Sequence, residues 1–192
     1  MPILVFIRHG ETDWNAEGRF QGQRDIPLNA RGRLQAQRNG RVLLERMPEA
    51  AGFDFVASPL ERTRQTMEIA RGAMGLDPSA YRLDPILKEI TFGNWEGFTG
   101  PELEMRWPEQ VAAREGDKWG FVPPSGESYE MLSIRIATWL AGLDQDAVVV
   151  SHGGVCRVLR GMLLGLDKNV TPNLNVPQDK VFVWDGKVAS WL

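Results

Sequence analysis

Two short apolar runs, Ile3–Ile7 and Ala147–Val150, each end in a small, polar, glycine-bearing turn. A run of four or five apolar residues closed in this way predicts a buried parallel strand. Between and after them the pattern changes period. Asn29–Met47 carries Leu34, Val42, Leu43 and Met47 on an arginine-rich polar background, which predicts a helix closed by Pro48. Phe53–Ala57 predicts a second strand. Ser58-Pro59-Leu60-Glu61 then predicts a helix start, with Ser58 as cap, Pro59 in the first turn and Glu61 completing a capping box. That helix runs to about Met74 and stops at Gly75. Tyr81–Leu87 predicts a third strand, at an edge or interrupted because of Pro85.

Residues 92–128 differ in texture. Trp95, Trp107 and Trp119 stand among prolines and glycines, and short helices and loops forming a lid over the sheet edge are expected. Glu127–Leu143 returns to helical spacing, with Leu132, Ile136, Trp139, Leu140 and Leu143 on one face. A helix from about Val155 to Leu164 follows the second apolar run. Val181–Trp184, Asp185-Gly186 and Lys187–Trp191 predict a closing β-hairpin. No repeat, low-complexity tract or linker interrupts this order, so one domain over 1–192 with an inserted lid is expected.

Composition narrows the class. The chain has 192 residues, 43% hydrophobic and 24% charged, in the ordinary range of a packed domain. A net charge of −3 argues against a general nucleic-acid partner, so any basic site must be local. Cys156 is the single cysteine and can form no intramolecular disulfide. The apolar start is too short for a signal peptide or a membrane span, and no later stretch reaches spanning length without a charge. A cytoplasmic protein without membrane contact is expected. The closing hairpin either offers an edge strand to a second copy, giving a homodimer, or is covered.

The candidate chemistry follows from the turns. His9 and His152 are the only two histidines, one in each turn after an apolar run. Ligands in open α/β sheets bind outside the carboxyl ends of the strands. With two histidines and one cysteine a zinc site is not expected, and Arg8 beside His9 would repel a divalent cation and attract phosphate. Gly10 lets the backbone approach a ligand, and an imidazole nitrogen beside a bound phosphate can act as a nucleophile. Arg62 falls in the first turn of the helix after Ser58. There it is either a second phosphate-binding guanidinium or, with Arg64, a solvated surface residue. A poor leaving group needs a proton, and Glu89, Glu11 and Glu96 are the candidates. His152, protonated, could donate to the phosphoryl oxygens. No G-x-S-x-G elbow supports Ser151 as nucleophile, and no P-loop is present.

These residues, in this order, resemble the histidine phosphatase superfamily, the phosphoglycerate-mutase-like family. The resemblance rests on Arg8-His9-Gly10-Glu11-Thr12 with Trp14-Asn15, Arg19-Phe20-Gln21-Gly22, Pro27-Leu28-Asn29 with Gly32, and Ser58 through Thr66. It continues with Glu89, Phe92-Gly93, Trp95-Glu96-Gly97, Gly126-Glu127-Ser128 and Ser151-His152-Gly153-Gly154. It implies an α/β fold, a three-layer α/β/α sandwich with a mostly parallel central sheet and a short inserted lid. It implies His9 as a nucleophile that becomes phosphohistidine, and Glu89, rather than Glu11 or Glu96, as proton donor. Arg8, Arg62 and His152 would hold the phosphate, with Asn15, Gln21, Gly22 and Gly153 as further substrate contacts. No metal or cofactor is implied. The short lid favours a phosphomonoester hydrolase acting on a small phosphorylated metabolite. A bisphosphate-dependent phosphoglycerate mutase is the alternative, and a non-catalytic phosphate-binding module ranks below both.

Overall fold

In a computed structural model describing residues 1–192, the two apolar runs lie side by side at the centre of one six-stranded sheet. The strands are β1 (Leu4–Arg8), β2 (Asp54–Ala57), β3 (Arg82–Leu83), β4 (Ala147–Ser151), β5 (Val181–Trp184) and β6 (Ala189–Trp191). Their spatial order is β3-β2-β4-β1-β5-β6. The first four are parallel, with Arg8 opposite Ser151, while β5 pairs antiparallel with β1 and β6 antiparallel with β5. His9 and His152 are the residues that follow β1 and β4, so strand register alone brings them together.

The helices are α1 (Asp13–Ala16), α2 (Ala30–Arg46), α3 (Glu61–Ala73), α4 (Gly100–Arg106), α5 (Pro108–Gly116), α6 (Tyr129–Ala141) and α7 (Gly153–Leu164). Alternate strand residues face opposite layers. Leu4, Phe6, Val149 and Phe182 pack with Leu132, Ile136, Val155 and Leu159 of α6 and α7. Val5, Ile7, Val148 and Val150 pack with Leu43, Met67 and Ala70 of α2 and α3. Each such side chain, fully buried, contributes roughly 1.5–3 kcal/mol. Covering both faces is why β1 and β4 read as unbroken apolar runs. The result is the three-layer α/β/α sandwich. No helix is long and apolar enough to cross a membrane.

Several local expectations change. Asn29 caps α2 as predicted, accepting from the Gly32 N–H at 2.9 Å. Leu34, placed on the apolar face by its spacing, is 67% exposed. Ser58 does not cap a helix: α3 starts at Glu61, whose N–H donates to Asp25 Oδ1 at 2.6 Å. The third strand shrinks to Arg82–Leu83 because Asp84 caps a 3₁₀ turn over Pro85–Leu87. Within residues 92–128, a 3₁₀ turn over Gly93–Trp95 precedes α4 and α5. Trp95 anchors that segment, buried against Phe20 and stacked on Phe121 at 5.4 Å.

Candidate active site

The turn after β1 is pressed against the start of α2. A Cβ on Gly10 would stand 2.2 Å from the Gly32 carbonyl oxygen, and one on Gly32 would stand 2.1 Å from that of Glu11. Two glycines are therefore required where backbone meets backbone. The approach fixes His9, which is 3% exposed. Its Nδ1 lies 2.7 Å from the Gly10 carbonyl oxygen, an acceptor only, so the proton sits on Nδ1. Nε2 keeps its lone pair, with Arg62 Nε at 3.3 Å.

Arg62 is 1% exposed, on the inward face of α3, while Arg64 points to solvent. The surface alternative for Arg62 is thereby removed. Its Nη1 and Nη2 donate to the Arg24 and Gly22 carbonyls, both at 2.7 Å. Gln21 turns its amide oxygen to the same guanidinium, at 3.2 Å from Nε and 3.1 Å from Nη1. Arg8 Nη1 donates to Val176 O at 2.7 Å, while its buried Nε has no partner. Gly153 heads α7, where no intrahelical acceptor exists for its N–H. Asn15 accepts from Gln178 Nε2 at 3.1 Å, and that same nitrogen donates to the His9 carbonyl at 3.1 Å.

His152 is fully buried beneath His9, with ring centroids 5.2 Å apart. Its Nε2 lies 2.8 Å from Ser58 Oγ, and its Nδ1 has no partner. This contact is what Ser58 does in place of capping. Burial first, then Arg62 and Arg8, pushes the His9 pKa well below its ordinary 6.5. Burial, then Arg62, His9 and Arg8, does the same to His152. Both rings are neutral near pH 7, so His152 is not the protonated donor expected from the sequence: burial among cations disfavours its charged form. A neutral His152 still donates once an anion draws the proton to Nδ1, with the Ser58 hydroxyl then donating to Nε2. Burial also lowers Arg62, to about 10, leaving it charged at neutral pH.

The three candidate carboxylates separate by what they touch. Glu96 accepts from Gln23 N at 3.0 Å, Thr91 Oγ1 at 2.9 Å and Phe92 N at 3.1 Å, tying its own loop to the Gly22 turn. Glu11 accepts from Asn29 at 3.1 Å and pairs with Arg31 at 3.4 Å. Glu89 has both carboxylate oxygens 3.1 Å from the Gly154 N–H, at the head of α7 beside Arg8 and Arg62. Its backbone is clamped: Ser151 Oγ donates to Leu87 O at 2.7 Å, and Arg135 donates to the Ile86 and Glu89 carbonyls while paired with Glu127 at 2.9 Å.

A cavity of about 410 Å³ opens over these groups, lined by Arg8, His9, Asn15, Gln21, Gly22, Arg62, Glu89 and Gly153. His152 is the one expected site residue that is not on the wall; it lies directly under it. Tyr129, Arg157 and Gln178 line the cavity without having been expected. Only Arg157 carried a signal, four residues after Gly153 and so on the same helix face. No three His, Cys, Asp or Glu side chains converge in a way that could hold a metal ion. Cys156 is buried and its thiol is pushed up to about 12 by burial, so it stays protonated and inert.

An α/β sandwich that gathers its histidines and buried arginines at the carboxyl edge of a parallel sheet is a phosphoryl-handling enzyme fold. The chain belongs to the histidine phosphatase superfamily (branch 1), which it matches over residues 4–187. Among its relatives, a probable phosphoglycerate mutase GpmB of Escherichia fergusonii is 36% identical across 100% of this chain and 88% of that protein. A glucosyl-3-phosphoglycerate phosphatase of Mycolicibacterium vanbaalenii is 34% identical, covering 89% of this chain and 78% of that one. The crystal structure of a putative α-ribazole-5′-P phosphatase from Escherichia coli superposes with a TM-score of 0.83 at 30% identity, over 100% of this chain and 94% of that one. A mycobacterial glucosyl-3-phosphoglycerate phosphatase in complex with VO3 gives 0.80 at 30% identity, over 100% and 96%.

Proposed function

We propose that this chain is a phosphomonoester hydrolase that works through a phosphohistidine on His9, in one domain whose segment 92–128 covers the site. The observation that carries the reading is the fixed tautomer of His9. Its Nε2 keeps a lone pair on the cavity wall, accepting only from Arg62 Nε, and two buried groups beside it have no partner, Arg8 Nε in the wall and His152 Nδ1 behind it. Buried polar atoms without partners are rare and costly, and a tetrahedral oxyanion would satisfy both.

The phosphoryl group of a small metabolite sits between Arg8 and Arg62, with His152 Nδ1–H beneath it and Asn15, Gln21, Gly22 and Gly153 around it. His9 Nε2 attacks phosphorus, the phosphorus–ester-oxygen bond breaks, and the leaving oxygen takes a proton from the Glu89 carboxyl group. Water then attacks the phosphohistidine, Glu89 takes the proton from that water, and inorganic phosphate leaves with the Nε2 lone pair restored. Charge stabilisation by fixed guanidiniums is the main contribution expected for such transfers.

Purified protein given p-nitrophenyl phosphate should release inorganic phosphate, and rapid quenching should trap an acid-labile phosphoryl group on His9. A His9→Ala protein that folds and still turns over at the parent rate would sink the assignment. The mutase reading has the GpmB relatives in its favour. Interconversion of phosphoglycerates after priming with a bisphosphate, without net hydrolysis, would establish it instead. Phosphate binding with neither activity would leave the binding module.

A further inference from the structure

Of the four arginines that line the cavity over His9, Arg19 is paired with Glu17 and Glu102, which leaves three guanidiniums, those of Arg8, Arg62 and Arg157. None is among the ion pairs of the molecule. Each is held by backbone carbonyls instead, and Arg157 Nε donates to Leu174 O at 2.9 Å. A phosphoryl dianion matches Arg8 and Arg62 charge for charge. Arg157 is left over.

Its position says what it could meet. Arg157 Nη1 lies 3.2 Å, and Arg8 Nε 3.5 Å, from the point a Gly153 Cβ would occupy. The two cations therefore stand next to each other across one glycine. The Tyr129 hydroxyl is 3.5 Å from Arg157 Nη1, at the outer limit of a hydrogen bond. Tyr129 is buried, and its ring stacks on Trp119 with centroids 6.3 Å apart and planes inclined by 21°. Burial raises its pKa, so the hydroxyl stays a donor. Apart from Phe20, Ile90 and Phe92, the rest of the wall is charged, polar or glycine. A large apolar leaving group has little to pack on, whereas a compact polyanion has donors on both sides.

We infer that Arg157 and the Tyr129 hydroxyl form a second anion subsite, and that the substrate carries a further anionic group a few bonds from its ester oxygen. This inference rests on the phosphatase reading for its reaction, and on the cavity alone for its binding. A carboxylate and a second phosphate share the chemistry, and the test separates them.

Phosphonoacetate, phosphonomethylphosphonate and methylphosphonate are titrated calorimetrically into the parent protein and into Arg157→Gln and Tyr129→Phe. The expectation is at least tenfold tighter binding of one two-anion ligand than of methylphosphonate, with the preferred ligand naming carboxylate or phosphate. Arg157→Gln should cut that preference at least fivefold, and Tyr129→Phe should cut it by less. Kinetics with 2-phosphoglycolate against ethylene glycol monophosphate should show the same loss of preference, mainly in KM. Equal loss for one-anion and two-anion ligands would make Arg157 a third ligand of the phosphoryl group and overturn the subsite. No preference in the parent protein would overturn it too. Turnover of neither ester, nor of p-nitrophenyl phosphate, would refute the phosphatase reading, and the titrations would still decide the subsite.

Discussion

Gly154→Ala separates catalysis from stability at one atom. A Cβ there would stand 2.5 Å from Glu89 Oε1, 3.1 Å from Ile90 Cγ2 and 3.3 Å from Leu132 Cδ2. Non-bonded carbon contacts settle near 3.5–4.0 Å, so the carboxylate must retreat by about 1 Å while the two apolar methyls shift by a few tenths. The carboxylate is the far end of a flexible side chain, so its retreat strains little. Alanine also favours the helix over glycine by about 1 kcal/mol, which offsets the methyl contacts. Net stability should therefore change by less than about 1 kcal/mol. A displacement of about 1 Å at a reacting group costs on the order of a hundredfold in rate, or about 2.7 kcal/mol of barrier. Leaving-group dependence identifies the group that moved. An alkyl phosphate needs its oxygen protonated as the bond breaks, and p-nitrophenolate does not. The value of kcat/KM, which stops at the first irreversible step, should fall about a hundredfold for an alkyl ester and less than tenfold for p-nitrophenyl phosphate. Equal losses for both esters, or none, would refute Glu89 as the proton donor.

Ser58→Ala leaves both ring nitrogens of fully buried His152 unpartnered and should cost about 1–3 kcal/mol by urea titration; an unchanged midpoint would argue against the contact. The pH dependence has a definite sign. Both imidazoles are held below 6.5 in the folded protein, so the unfolded chain binds more protons once the pH falls below about 6.5. Stability is complete above that value and declines beneath it by about 1.4 kcal/mol per pH unit for each ring, until the folded pKa is reached. The decline should be absent from a His9→Asn/His152→Asn protein, and an identical decline there would contradict the assignment. Gly10→Ala drives a methyl into the Gly32 carbonyl, where only rigid backbone could yield, and should destabilise by about 3 kcal/mol; a parent-like melting temperature would disprove the close packing. Leu34→Gln should lie within about 0.5 kcal/mol of the parent in the same assay, because Leu34 is exposed.

What the sequence disclosed depended on how local the cause was. The runs at Ile3 and Ala147 are apolar because both sheet faces are covered, and that signal is written in consecutive residues. Asn29 caps the residue three places on, which is equally local. Ser58 looked the same and was not. Its hydroxyl serves His152, ninety-four positions away, and Asp25 supplies the first contact to α3 from another loop. The Tyr81–Leu87 strand failed for a local reason underweighted by its apolar pattern, the Asp84-Pro85 turn. In the site, His9, Arg8 and His152 were legible from their turns, while Arg62 stayed open between a phosphate ligand and a surface residue until the family resemblance and its burial decided it. Glu89 could be separated from Glu11 and Glu96 only by family resemblance, because the difference lies in which loop each carboxylate ties down. Tyr129 and Gln178 carry no sequence signal, since they reach the cavity from elements joined to it only in space.

The choice of carbonyls over carboxylates to hold the pocket arginines has a consequence for the protein at rest. Carbonyl dipoles orient a guanidinium without cancelling its charge, and Glu89 beside Arg8 and Arg62 offsets only part of it, so the pocket keeps an excess of positive charge. Any oxyanion that enters binds the folded form and not the unfolded one. At a hundred times its dissociation constant such an ion raises stability by about 2.7 kcal/mol. Inorganic phosphate, the expected product, is one such ion. Phosphate that rebinds when it is plentiful should slow turnover, and its scarcity should leave the chain easier to melt and to digest. Resistance to unfolding and inhibition by product thus become two readings of one equilibrium, and an enzyme built this way is least robust when it is idle.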